Sequence, residues 1–301
     1  MIFGQNKLVF LNIVCYIFRE NIHLINKTMG NEIILGSANS LIGLLRLIGQ
    51  NSDGVIILES MIDCGCHELN CYPDMVLRGK NENCGLSFDM DIFCAPSLRM
   101  HRFARLENLT INIHAKKISR DLNFGGVLVQ DYGVTFKNVH INLVADEPFE
   151  EHCRSFAALF LMHQLTVDDL LSISIRGAMA VAVKGNGTAQ ARMNVTDANL
   201  IVKAQNTKRQ TIKKCLLEIC GRKGRFIYEN ETIAENDFIN AYVILSDGAE
   251  IFSSLRNAEI RERPFDLGEG KKRLVVVVTP SLPSVPFLEK RWQWFRNLFH
   301  A

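Results

Sequence analysis

Six times after residue 100 the chain carries an Asn or Asp to the end of a short apolar-polar alternation and at once starts another. The returns fall at Asn108, Asn138, Asp169, Asn199, Asn230 and Asn257, between 27 and 31 residues apart. Residues 133–146, GVTFKNVHINLVAD, show the unit most plainly. Val134 and Phe136 alternate, the beat slips at Lys137-Asn138, and Val139, Ile141 and Leu143 resume it. A period of two on both sides of so short a corner reads as strand, corner, strand, with no room for a helix. Similar alternations follow other corners, as in LTINI from 109 and LLSISI from 170, and a further apolar run precedes them, as in GVLVQ from 126 and ALFLM from 158. One repeat thus holds about three short strands, and a fixed period of this length means coils stacked along an axis.

Asn suits such a corner twice over. A tight turn between strands needs a residue in the left-handed region, which Asn tolerates better than other non-glycine residues. Stacked at the strand spacing of about 4.8 Å, successive amides can hydrogen-bond as a ladder. The six residues are therefore expected to form one line along the coil.

On these features the chain resembles the right-handed parallel β-helix proteins, the architecture of pectate lyases, polygalacturonases, phage tailspikes and autotransporter passengers. The likeness covers residues 40 to 262, with GLLRLIGQNSDGVIILESMID at 43–63 taken as an early rung. It implies an all-β right-handed β-solenoid over 29–265, preceded by an extension, residues 1–28, and followed over 266–301 by a strand, a Pro-rich linker and an amphipathic capping helix. Two departures stand out: Asp197 takes the inward position held by Phe136 and Val167, and Glu231 and Glu235 follow Asn230 where apolar residues are due.

A hydrophobic fraction of 48% in 301 residues fills a long lumen, while 34 basic against 32 acidic side chains give no electrostatic footprint for nucleic acid. Nine cysteines, an odd number, several within apolar runs such as CLLEIC, point to reduced thiols and a cytoplasmic or non-classically exported protein. Leu8 to Phe18 is an apolar run too short to span a bilayer and lacks a small-residue cleavage site. Residues 1–28 are left as a vestigial anchor, an N-terminal cap, or a leader ahead of a start at Met29. At the other end Leu288, Trp292, Phe295 and Phe299 share one helix face, read as a lid over the last coil near RLVVVV in preference to a membrane-surface device.

Catalytic signals are sparse. Asp168-Asp169 has the look of the polygalacturonase Asp pair, but Val167 replaces the expected Gly, and neither the Gly-His pair nor the Arg-Ile-Lys element follows. Asp89 and Asp91 share one side of FDMDIF, which equally describes an outward polar face. Cys64, Cys66, His67 and Cys71 have zinc-ligand character without the usual spacing of paired cysteines, so no metal or other cofactor is expected. The sequons at Asn108, Asn186, Asn194 and Asn230 carry no weight alone, since two coincide with ladder positions. The expectation is a non-catalytic module binding a glycan or a partner protein, in the manner of a bacterial effector or adhesin. The alternative is a diverged polysaccharide lyase or glycoside hydrolase.

Overall fold

The computed structural model describes residues 28–29, 32–50, 53–90, 97–115, 126–145, 156–178, 180–205, 211–230, 238–239, 241–253, 259–265 and 272–278. They build a parallel β-solenoid with rungs of about 28 residues. Three stacks of parallel strands run its length. The first includes Gly54–Leu58, Met75–Gly79, the leading halves of Arg105–Ala115, Val134–Ala145 and Leu165–Arg176, then Arg192–Thr196, Leu216–Cys220 and Tyr242–Ser246. The second takes Met61–Gly65, Gly85–Met90, the trailing halves of the same three strands, Asn199–Gln205, Arg225–Asn230 and Glu250–Ser253. The third is a separate seven-stranded sheet that includes Leu69–Cys71, Leu98–Met100, Val127–Val129 and Phe156–Leu161.

Inward residues stack in register. Leu77, Leu106, Phe136, Val167, Val195, Ile219 and Leu245 form one fully buried column on the first stack, and Leu86, Ile111, Ile141, Ile173, Val202 and Tyr228 form another on the second. Each such side chain contributes about 1.5–3 kcal/mol of burial, so the columns hold the coils together. Val195 therefore fills the inward position assigned above to Asp197, which sits instead in the corner with φ 50°.

The corner is where the repeat loses its regularity. Between the flanking inward residues lie two residues at Glu107-Asn108 and at Lys137-Asn138, three at 168–170, four at 196–199, six at 220–225 and five at 246–250. Asn108, Asn138 and Asp169 occupy the left-handed region, and so do Asp197 and Asp247. Asn199, by contrast, opens a strand opposite Leu170 at the end of its corner, and Asn230 closes one opposite Ala204, so neither holds the left-handed place. The equal spacing of Asn along the sequence is offset by the widening corner, which moves the left-handed position back to Asp197. Asn257, Glu231 and Glu235 lie outside the described residues.

Both described ends depart from the coil. Leu41–Ile48, expected as part of an early rung, is an α-helix: Ser40 Oγ accepts from the Gly43 amide at 3.3 Å, and Leu44 and Ile48 enter the same core as the lumen residues. An N-cap Ser with apolar residues recurring three and four apart outweighs strand alternation here, and a helix satisfies its own backbone where a coil end needs covering. At the other end Lys272–Val278 runs antiparallel to Tyr242–Ser246 and also pairs with Glu259–Phe265. The RLVVVV strand is therefore paired on both sides and itself covers the last strand of the first stack. The C-terminal helix and the Pro-rich linker lie outside the described residues, as do residues 1–27. Among the described residues no helix is long and apolar enough to cross a membrane.

Candidate functional site: an aromatic ledge

On the third stack the outward row runs Asn70, Arg99, Leu128, Phe160, Lys184 and Lys213, in which Leu128 and Phe160 are buried, as are their outward neighbours Ala157 and Val181; among the described residues this row holds no carboxylate. What is exposed is the turn at its end, where each coil leaves the third stack for the first.

Three of these turns stack as Tyr72-Pro73-Asp74, His101-Arg102-Phe103 and Gln130-Asp131-Tyr132-Gly133. Backbone bonds fix their register: the His101 amide donates to the Cys71 carbonyl at 3.0 Å, Gln130 to Met100 at 3.1 Å, Asp74 to Arg102 at 3.1 Å and Phe103 to Tyr132 at 3.2 Å. With the backbone paired from coil to coil, the side chains are presented from a rigid scaffold. Tyr72, Phe103 and Tyr132 remain 36%, 43% and 51% exposed on the turns of three successive coils, with Phe103 and Tyr132 in contact. Isolated exposed rings need no explanation, but adjoining ones do.

The rings are positioned by one another and by polar partners. Tyr72 lies parallel to the imidazole of His101, with centroids 6.1 Å apart, and Phe103 meets Tyr132 edge to face at 5.4 Å. His101 places Nδ1 3.2 Å from Asp131 Oδ2 and Nε2 3.3 Å from Asn70 Oδ1, tying three coils together. Behind it Arg99 donates from Nε to Glu68 Oε1 and from Nη1 to Gln130 Oε1, both at 2.8 Å. The result is an aromatic ledge backed by carboxylate, amide and imidazole groups.

Phe103 carries a specific cost. Its φ is 59°, in register with Asp74 at 63° and Gly133 at 77°. A bulky side chain in that region is strained by about 1–2 kcal/mol, which Asn or Gly at the same position would avoid. A Cβ on Gly133 would collide with the Phe103 ring, so the glycine both adopts the turn and makes room for the ring.

The candidates named from sequence do not assemble into a second site. Asp168 is exposed at the corner beside Asp169, whose Oδ2 lies 3.7 Å from Lys137 Nζ. Asp89 is exposed on the second stack, 3.6 Å from His114 Nδ1, and Asp91 lies outside the described residues. Strand pairing puts three coil steps between Asp89 and Asp168. That is about 14 Å along the axis at 4.8 Å per step, beyond the roughly 5–9.5 Å that separates the carboxyls of glycosidases.

Cys64 and Cys71 are buried, whereas Cys66 and His67 are exposed, with His67 Nδ1 3.0 Å from the Cys64 carbonyl. Burial, with a smaller push from Asp63, raises the Cys64 thiol to about 12, and burial alone raises Cys71 further. Among the described residues no three His, Cys, Asp or Glu side chains gather as a metal site. Of the ladder residues, Asn138 Nδ2 donates to Asn108 Oδ1 at 3.2 Å, and a second amide pair, Asn142 Nδ2 to Asn112 Oδ1 at 2.9 Å, lies on the outer face of the second stack.

The ledge itself was missed by reading periodicity alone, which scores apolar residues as core. The available signal was an aromatic residue in each of three successive polar turns, at 72, 103 and 132. No family model, curated protein or solved structure matches the chain.

Proposed function

We propose that this protein is a non-catalytic β-solenoid binding module whose ligand is a glycan, held on the ledge of Tyr72, Phe103 and Tyr132. The single observation that carries the reading is the exposed aromatic surface on successive coils, with one ring kept in a strained left-handed turn. Strain of this kind is retained where the surroundings enforce it and points to function. Aromatic rings receive the apolar C–H face of a sugar, while Asn70, Asp131 and Gln130 at their margin match its hydroxyls. Rigid Tyr side chains bind at low cost in conformational entropy. Catalysis by a diverged lyase or hydrolase has less support, because Asp89 and Asp168 stand too far apart to share a bond.

The test is a glycan array probed with the full chain and with Tyr72→Ala/Tyr132→Ala, alongside reducing-sugar and unsaturated-product assays on each ligand retained. The reading expects binding that the double variant loses and no product release. Product formation would replace it with the enzymatic alternative.

A further inference from the structure

Several cations of the coil stand beside carboxylates. Arg99 is paired with Glu68, Arg78 and Arg105 share Glu107, Lys137 faces Asp169, Arg192 faces Glu218 and Lys203 faces Glu229. Arg102 is exposed, and its hydrogen-bond partner among the described residues is the Tyr132 hydroxyl, 3.2 Å from Nη1. Its guanidinium carbon stands 5.3 Å from the Phe103 ring centre and 5.8 Å from that of Tyr132. Asp131, the neighbouring carboxylate, is engaged by His101. Two aromatic faces therefore hold the exposed guanidinium in place without neutralising it, and among the described residues its hydrogen bond to Tyr132 takes up one of five N–H donors.

The geometry points to Arg102 as an anion-receiving head that makes the ledge prefer glycans bearing a carboxylate or a sulfate over their neutral counterparts. This rests on the glycan reading above. The planar fork accepts two oxygens of such a group at once, and the rings that hold it reduce the ordering cost of that contact. The sugar bearing the charge then lies against Tyr132, the most exposed ring of the three. The ion pair forms at the surface, so the preference falls as salt rises.

Matched oligosaccharides decide it: neutral chains, the same chains with carboxylates and the same chains with sulfates, titrated at low and high salt against the full chain, Arg102→Gln, Arg102→Lys and Tyr132→Ala. The expected result is about a ten-fold or greater preference for the charged forms, as for a charge-assisted hydrogen bond. Arg102→Gln should abolish the preference, so that this variant binds charged and neutral chains equally, and Arg102→Lys should keep only a salt-sensitive remnant. The carboxylate and sulfate arms identify which anion is taken. Equal affinity for neutral and charged chains, with Arg102→Gln silent, overturns the inference and leaves the ledge standing. Loss of neutral binding in Tyr132→Ala verifies that the ledge was read. Binding of no glycan, or Arg102-dependent binding of an acidic peptide alone, overturns both.

Discussion

The ring of Phe103 occupies the space that a side chain at Gly133 would fill, one coil further along, and both residues are left-handed, with φ 59° and 77°. Gly133→Ala therefore meets a strained backbone and a displaced ring together. We expect a loss of about 1–3 kcal/mol. In a Phe103→Ala background only the backbone part remains, so a double-mutant cycle in thermal or denaturant unfolding should give a coupling energy well above zero. Additive losses would mean that the ring does not depend on the glycine.

The amide contact between Asn138 and Asn108 sits where the corner is narrowest. Asn138→Leu should cost on the order of 1–3 kcal/mol, from the lost hydrogen bond, the unpaired Asn108 amide and a branched residue forced left-handed. Asn199→Leu, at a strand start, should stay within about 0.5 kcal/mol, like an ordinary surface change. Melting curves of the two variants side by side check this, and equal losses would give Asn199 the same role as Asn138.

Thiol reactivity should separate the cysteines once read as a cluster. At pH 8 a thiol raised to about 12, as for Cys64 and Cys215, is ionised in on the order of one molecule in ten thousand. Only deprotonated thiol attacks an alkylating reagent, so Cys66 should label in the native protein while Cys64, Cys71 and Cys215 label after denaturation. Peptide mass spectrometry after a timed pulse reads this directly. Rapid native labelling of Cys64 would show that the coil around it opens.

The helix Leu41–Ile48 is expected to be a structural lid. Leu44 is fully buried, and Leu44→Ala should cost about 2–5 kcal/mol, the range for core truncation. Ser40→Ala should cost about 0.5–2 kcal/mol through the lost cap. Light scattering would then reveal association through the uncovered coil end, whereas monomeric, undiminished variants would remove the lid assignment.

Why was so much of the coil readable in advance, and so little of the site? Val134, Phe136, Val139, Ile141 and Leu143 announce their strand because a parallel coil buries one face of each strand and repeats the arrangement at a fixed interval. The same regularity misled at Asn199 and Asn230. Their spacing fits the period, but corner length changes from coil to coil, and only strand register reveals that Asp197 holds the left-handed place. Leu41–Ile48 was hidden because a short apolar run fits helix and strand alike. Tyr72, Phe103 and Tyr132 were hidden because ligand-facing rings have the composition of core residues. Their exposure depends on which turn of the coil leaves the sheet.

The most direct test of the ledge is hydrogen exchange of the full chain with and without a saturating glycan drawn from the array. The account predicts added protection in the turns at 72–74, 101–104 and 130–133, with the second stack and the 196–199 corner unchanged. Protection confined to those other surfaces would contradict it, as would the absence of any glycan that the protein retains.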